Sequence, residues 1–239
     1  MRTAIALSLL ALTLLCSGCE TTAEKSAKLE RTAKRVTPAK QKGLEITRAS
    51  TVVKVLDAAV IQGKEGTAAV VTLRNASTHA LSEVPISLEL KDAHGASVYS
   101  NGTPGLARTL TSVALLPAHA QVVWIDDQIQ AATATQASAR VGEGTEASGV
   151  PPRLNVAEQH LSGEPDSSSL EGAVHNGSRT DQPELVIDAV ARRGGRMVAA
   201  GRAVLASLDA SATTPFQIFF VGDPTGAKLT LSVPPTASG

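Results

Sequence analysis

Aromatic residues are nearly missing from this chain: its 239 residues include one Trp, one Tyr and three Phe. Cores must therefore be filled by Val, Leu, Ile and Ala around Trp124, Phe216, Phe219 and Phe220, and all four of these are expected to be buried. The scarcity also removes the stacking platforms that sugar and single-strand nucleic-acid sites use, leaving Tyr99 as the candidate. Cysteine is equally rare. The two present, Cys16 and Cys19, lie near the N-terminus, so the rest of the chain can form no disulfide, no thiolate metal site and no cysteine nucleophile. Net charge is zero, and no extended basic surface of the kind nucleic acid requires is evident. Beyond residue 15 no uncharged apolar run approaches the roughly 20 residues that span a bilayer as a helix.

What is present begins at the N-terminus. Met1-Arg2 precedes an uncharged apolar run over residues 4–15, too short to cross a membrane and of the length of a signal h-region. The run closes on Leu15-Cys16-Ser17-Gly18-Cys19. This resembles the lipobox of bacterial lipoprotein signal peptides. Ser17 and Gly18 fit the pattern, and Cys16 stands where a branched aliphatic is usual. The resemblance implies a signal peptide over 1–18, cleavage before Cys19, and a lipid on Cys19 that anchors the protein in the cell envelope. The membrane is then either the outer membrane, on its periplasmic side, or the outer face of the plasma membrane; Glu20 is not the Asp associated with inner-membrane retention. Residues 19–43 read as the lipidated Cys and a flexible basic linker. From 20 to 43 seven basic residues face three acidic ones, a local balance of +4, and such a segment suits a solvated tether that can rest on anionic headgroups.

After the tether the chain reads as strands. Segments 51–61, 68–74, 83–90, 113–116, 120–125 and 138–141 are rich in Val, Ile, Leu and Thr with turn residues between them, and 170–175, 184–191, 196–208, 215–221 and 228–233 repeat the picture. Val84, Ile86, Leu88 and Leu90 alternate with Pro85, Ser87, Glu89 and Lys91, which places one face on a core and the other in water. Gly142, Gly144 and Gly149 with Pro151-Pro152 read as a linker over 143–152. The organisation expected is a β-sandwich domain over 44–142 and a second over 153–236.

The two units look like copies. Leu73-Arg74-Asn75-Ala76-Ser77 matches Val174-His175-Asn176-Gly177-Ser178, and 84–90 matches 185–191. Leu116-Pro117-Ala118-His119-Ala120 matches Leu208-Asp209-Ala210-Ser211-Ala212, with Trp124 and Phe216 each eight residues after the Leu. The first copy has an extra loop near 99–109, of which 100–105 is expected to project. The second copy resembles the FxLYD-like and related Ig-like modules of bacterial exported proteins, through 174–178, 189–195, Ala200-Gly201 and 208–216. The family's Tyr-Asp is absent from both copies, where Ala191-Arg192-Arg193 and Leu90-Lys91-Asp92 stand. The resemblance implies an all-β chain of two tandem Ig-like antiparallel sandwiches, and it carries no catalytic residues.

Candidate chemistry is thin. His79, His94 and His119 fall in expected turns, His160 and His175 in the second unit, and no pair has metal-ligand spacing. Asp126 and Asp127, adjacent on a strand, point to opposite faces and so do not form an acid-base pair; with Gln128 they read as a solvated strand end. Ser167-Ser168-Ser169 reads as loop. Arg193-Gly194-Gly195-Arg196 reads as a two-residue hairpin turn. Asn75, Asn101 and Asn176 open Asn-x-Ser/Thr sequons but read as turn residues able to take the left-handed conformation. The reading is a non-enzymatic, membrane-anchored binding or structural lipoprotein, with Cys19 its modified residue, no cofactor and no evident small-molecule substrate. The alternative is an accessory subunit docking onto a secretion, transport or cell-wall assembly complex, an envelope partner pairing with a sandwich edge strand.

Overall fold

A computed structural model describes residues 43–163 and 168–237, all within one compact unit. The expected signal peptide, Cys19 and almost all of the expected tether lie outside the described residues. The described chain is all-β and antiparallel throughout, as expected. Its first half contains β1 (Val53–Gly63), β2 (Gly66–Asn75), β3 (Leu81–Lys91), β4 (Ser97–Ser100), β5 (Ser112–Leu116), β6 (Gln121–Ile129), β7 (Gln136–Val141) and β8 (Thr145–Glu146). The second contains β9 (Leu154–Ser162), β10 (Ser169–Asn176), β11 (Gln182–Arg193), β12 (Arg196–Leu208), β13 (Thr213–Phe219), β14 (Val221–Gly222) and β15 (Lys228–Ser232).

Each half is a sandwich. In the first, the sheet β1-β2-β6 faces a sheet centred on β3, which pairs with β4 and β5 and also with β7 and β8. In the second, β13-β10-β9 faces β14-β12-β11-β15. Period two decides what lies between the sheets. Val84, Ile86, Leu88 and Leu90 of β3 are all fully buried and pack with Leu73, Trp124 and others. Leu185, Ile187, Phe216 and Ile218 are among those doing the same in the second half.

The halves are structural copies down to their hydrogen bonds. Asn75 Nδ2 donates to the carbonyls of His79 (2.8 Å), Leu116 (3.3 Å) and Pro117 (3.1 Å). Asn176 Nδ2 donates to those of Thr180 (2.9 Å), Leu208 (3.2 Å) and Asp209 (3.1 Å). In both, Oδ1 accepts the N–H and hydroxyl of the serine two residues on. Positive φ recurs at matched non-glycine positions, Glu83 (55°) with Glu184 (47°) and His119 (57°) with Ser211 (59°). Matched residues are 101 apart up to Glu83 and Glu184 and 92 apart at Trp124 and Phe216, so the first half carries nine extra residues. They interrupt what is one continuous strand, β12, in the second half, and split its counterpart into β4 and β5.

The sandwiches also stack on each other. The outer face of β1-β2-β6 meets the outer face of β14-β12-β11-β15, and Ile61, Val70 and Ile125 pack there with Val190, Ala200 and Val221. Four sheets therefore enclose three apolar layers. Hydrogen bonds that cross the joint include those from Val123 N–H to Ser232 Oγ (3.1 Å) and from Arg202 N–H to Asp127 Oδ2 (3.1 Å).

Several expectations are corrected. Phe219 is 64% exposed while Trp124, Phe216 and Phe220 are buried, because Phe219 falls on the outward parity of β13. The 143–152 segment carries β8, paired with Leu81 and Ser82 of β3, and Ala147 N–H continues to the Ala80 carbonyl (2.8 Å). A Cβ on Gly144 would come within 2.8 Å of Val84 and 2.9 Å of the Ser82 carbonyl, so this glycine permits close strand approach. The 100–105 loop does not project as a whole. Its Asn101 is fully buried, accepting from Leu88 N–H (2.7 Å) and donating to the Ile86 and Leu110 carbonyls (2.9 Å each). Ser168 and Ser169 are buried, and Ser169 opens β10.

Candidate functional site

The nine-residue insertion builds one wall of a cavity at the edge of the joint. It ends in a 3₁₀ turn, Arg108–Leu110. Trp124 Nε1 donates to the Thr109 carbonyl (3.1 Å) and Ser112 Oγ to the Arg108 carbonyl (3.1 Å), which fixes this turn against β6 and β5. The opposite wall is the start of β11 and the C-terminal segment. Gln182, fully buried, grips that segment: its Oε1 accepts from Thr236 N–H (2.8 Å) and Ala237 N–H (3.2 Å), and its Nε2 donates to the Ala237 carbonyl (3.2 Å). Between the walls lies a cavity of about 110 Å³.

Val113, Val123 and Trp124 from the first half and Pro183, Val186 and Pro234 from the second make its surface mainly apolar. Its polar lining includes Glu83, Arg108, Glu184, Asp188 and Thr236. Glu83 and Arg108 form an ion pair. Asp188 is 2% exposed, and neither its Oδ1 nor the buried Oγ1 of Thr236 has a hydrogen-bond partner. A predominantly apolar concavity with a few convergent polar groups is the usual form of a small-ligand site.

Asp188 owes its state to the joint. It sits mid-strand in β11, opposite Arg202 of β12 and Ser232 of β15, on the face turned toward the first half. Burial pushes its carboxyl up to about 8; the positive charge of Arg202 and a hydrogen bond from the Ile125 backbone N–H oppose this, and the negative charge of Asp127 adds to it. The buried guanidinium nitrogens of Arg202 have no hydrogen-bond partner. Asp127 is raised by burial too, against the pull of Arg202.

Asp126 and Asp127 do point to opposite faces of β6, but neither belongs to a solvated strand end. Asp126 is fully buried and accepts from Tyr99 Oη at 2.5 Å; burial raises its pKa. Tyr99 is therefore turned inward as a tie between β4 and β6, its phenol raised by burial and by Asp126, and it offers no exposed stacking platform. Asn75, Asn101 and Asn176 are all fully buried and act through their amides, with φ negative. Among the described residues no group of three or more His, Asp, Glu or Cys could hold a metal ion. His79 stands 3.6 Å from Glu146, His160 3.1 Å from Glu171, and His175 Nδ1 3.0 Å from Thr213 Oγ1, none of them at the cavity. Gly194 and Gly195 have φ of 58° and 83° and form the expected two-residue turn. Cys19 lies outside the described residues.

Sequence reasoning missed Asp188. The available signal was a lone acid in Val186-Ile187-Asp188-Ala189-Val190 with a lone base in Ala200-Gly201-Arg202-Ala203-Val204, the two arms of one hairpin.

No family model matches this chain, and no curated protein matches it. Among solved structures, an exo-chitosanase of Amycolatopsis orientalis is similar over 76% of this chain and 26% of its own, at 14% identity and a TM-score of 0.29. The chain thus spans about a quarter of that enzyme, and at this score the likeness carries no argument.

Proposed function

We propose that this protein is an envelope lipoprotein, anchored through a lipid on Cys19, that works as a non-enzymatic binding module built from two FxLYD-like repeats. The observation that carries the binding reading is the joint cavity, with apolar walls and a buried carboxyl oxygen, Asp188 Oδ1, that has no hydrogen-bond partner. Two of its hydroxyls are poorly placed for nucleophilic chemistry: Ser112 Oγ is committed to a carbonyl and Thr236 Oγ1 has no base bonded to it. In the test, the full chain and Ala114→Phe, which fills the cavity, are heated with the small-molecule fraction of a cell-envelope extract. Stabilisation of the parent alone, with the bound compound recovered unchanged by mass spectrometry, supports the reading. Equal or absent stabilisation, or a chemically altered compound, overturns it.

A second reading, an accessory subunit docking a protein of a secretion, transport or cell-wall assembly complex, is favoured by Phe219, exposed on the edge strand β13. Phe219→Ser would then abolish cross-links to that complex in intact cells; unchanged cross-links would remove this reading.

A further inference from the structure

Resting on the binding reading, we propose that the joint cavity receives a primary ammonium group on a short aliphatic stem, with Asp188 as its ion-pair partner at the buried end. Four observations converge on that chemistry. The cavity, about 110 Å³, is somewhat smaller than the roughly 150 Å³ void that takes up benzene. It suits about five heavy atoms, and its open mouth lets a longer molecule trail into solvent. Val113, Val123, Val186 and the Trp124 ring suit methylenes. Asp188 Oδ1 and Thr236 Oγ1, buried without partners, supply acceptors, and an ammonium group carries three donors and no acceptor. At the lining, Glu83, Glu184 and Asp188 outnumber Arg108, which is already paired with Glu83.

Charge in the joint points the same way. The groups that act on Asp188 are Arg202 of β12, Asp127 of β6 and the backbone N–H of Ile125 of β6, which donates to its carboxyl, with the neutral Ser232 of β15 beside it; Glu184 stands four residues earlier on β11 itself. Arg202 and Asp127 offset each other, so an ionised Asp188 leaves the layer one positive charge short. An ammonium supplies that charge, a neutral alcohol does not, and a carboxylate would worsen the imbalance. Burial holds a proton on Asp188 until about pH 8. Ammonium binding therefore displaces a proton, and affinity rises from pH 6 to pH 8.

Trp124, the single tryptophan, lines the cavity and reports binding by its fluorescence. The full-length chain is titrated with n-butylammonium, n-butanol and butyrate at pH 6 and pH 8. Saturable binding of n-butylammonium, about tenfold tighter than n-butanol at pH 8 and weaker at pH 6, supports the proposal. Asp188→Asn should weaken n-butylammonium about tenfold; if that variant fails to fold, Glu184→Gln at the exposed rim should weaken it about twofold and Ala114→Phe should abolish it. n-Butanol binding as tightly as n-butylammonium, or n-butylammonium binding untouched by Ala114→Phe, overturns the proposal. Nα-acetyl-lysine methylamide as a further arm separates the sources: binding of it points to a lysine side chain, and binding of the free amine alone to a small metabolite. Envelope extract that stabilises the parent but not Ala114→Phe, with no response to n-butylammonium, sinks the ammonium class and leaves the binding reading intact.

Discussion

Asn75 and Asn176 each satisfy three carbonyls and two donors of one turn from a fully buried amide. Truncation removes these bonds from a buried site, where a polar group left unmatched costs about 1–3 kcal/mol, although the carbonyls of His79, Pro117, Thr180 and Asp209 each keep a second donor. Asn176→Ala and Asn75→Ala should each lower stability by about 3 kcal/mol in urea unfolding, and Asn→Asp, which loses the donors but keeps the shape, by a similar amount. Asp188 makes the other residue-level prediction. The folded chain keeps its proton up to about pH 8, against an ordinary value of 3.8, so the folded state binds more protons between these limits and stability falls as pH rises across them. The melting temperature should decline from pH 5 to pH 8.5. Asp188→Asn should flatten that slope without abolishing it, because Asp126 and Asp127 are also raised by burial.

Strands were legible wherever alternation or turn chemistry was strong. The expected 196–208 strand coincides with β12, and β3 buries the four residues its pattern named. β9 and β4 were not recognised. β9 is a mostly exposed edge strand broken by a positive φ at Glu158, so its apolar residues keep no period. β4 has four residues and owes its existence to its partner β3. The glycines of 142–144 suggested a linker because sequence does not distinguish a flexible glycine from one that another strand crowds. The cavity was beyond reach for a related reason: it is made by the insertion, the start of β11 and the C-terminal segment, which only stacking of the sandwiches brings together. β13 tests how far period two governs a strand. Phe216→Ala should cost about 3–5 kcal/mol, whereas Phe219→Ser, three residues on, should stay within about 0.5 kcal/mol.

Taken as a whole, the molecule is a head-to-tail stack of two similar units whose matched faces differ in polarity. Ala68, Val70 and Thr72 meet the second half, while their counterparts Ser169, Glu171 and Ala173 lie on an outer face. Val186, Asp188 and Val190 line the joint, while Pro85, Ser87 and Glu89 do not. The shared layer couples the halves, so calorimetry should record one transition for the parent. Val190→Asp, an unpaired charge in that layer, should lower it and separate two transitions; a single unshifted transition would mean the halves melt without regard to the joint. The same contrast of faces bears on association. A lone unit apolar on both outer faces would join its own copies end to end without closing, as a filament. A single unit that stayed monomeric would therefore need to be polar on at least one of them, so separating the two halves at their greasy seam should leave each with an apolar face that drives association.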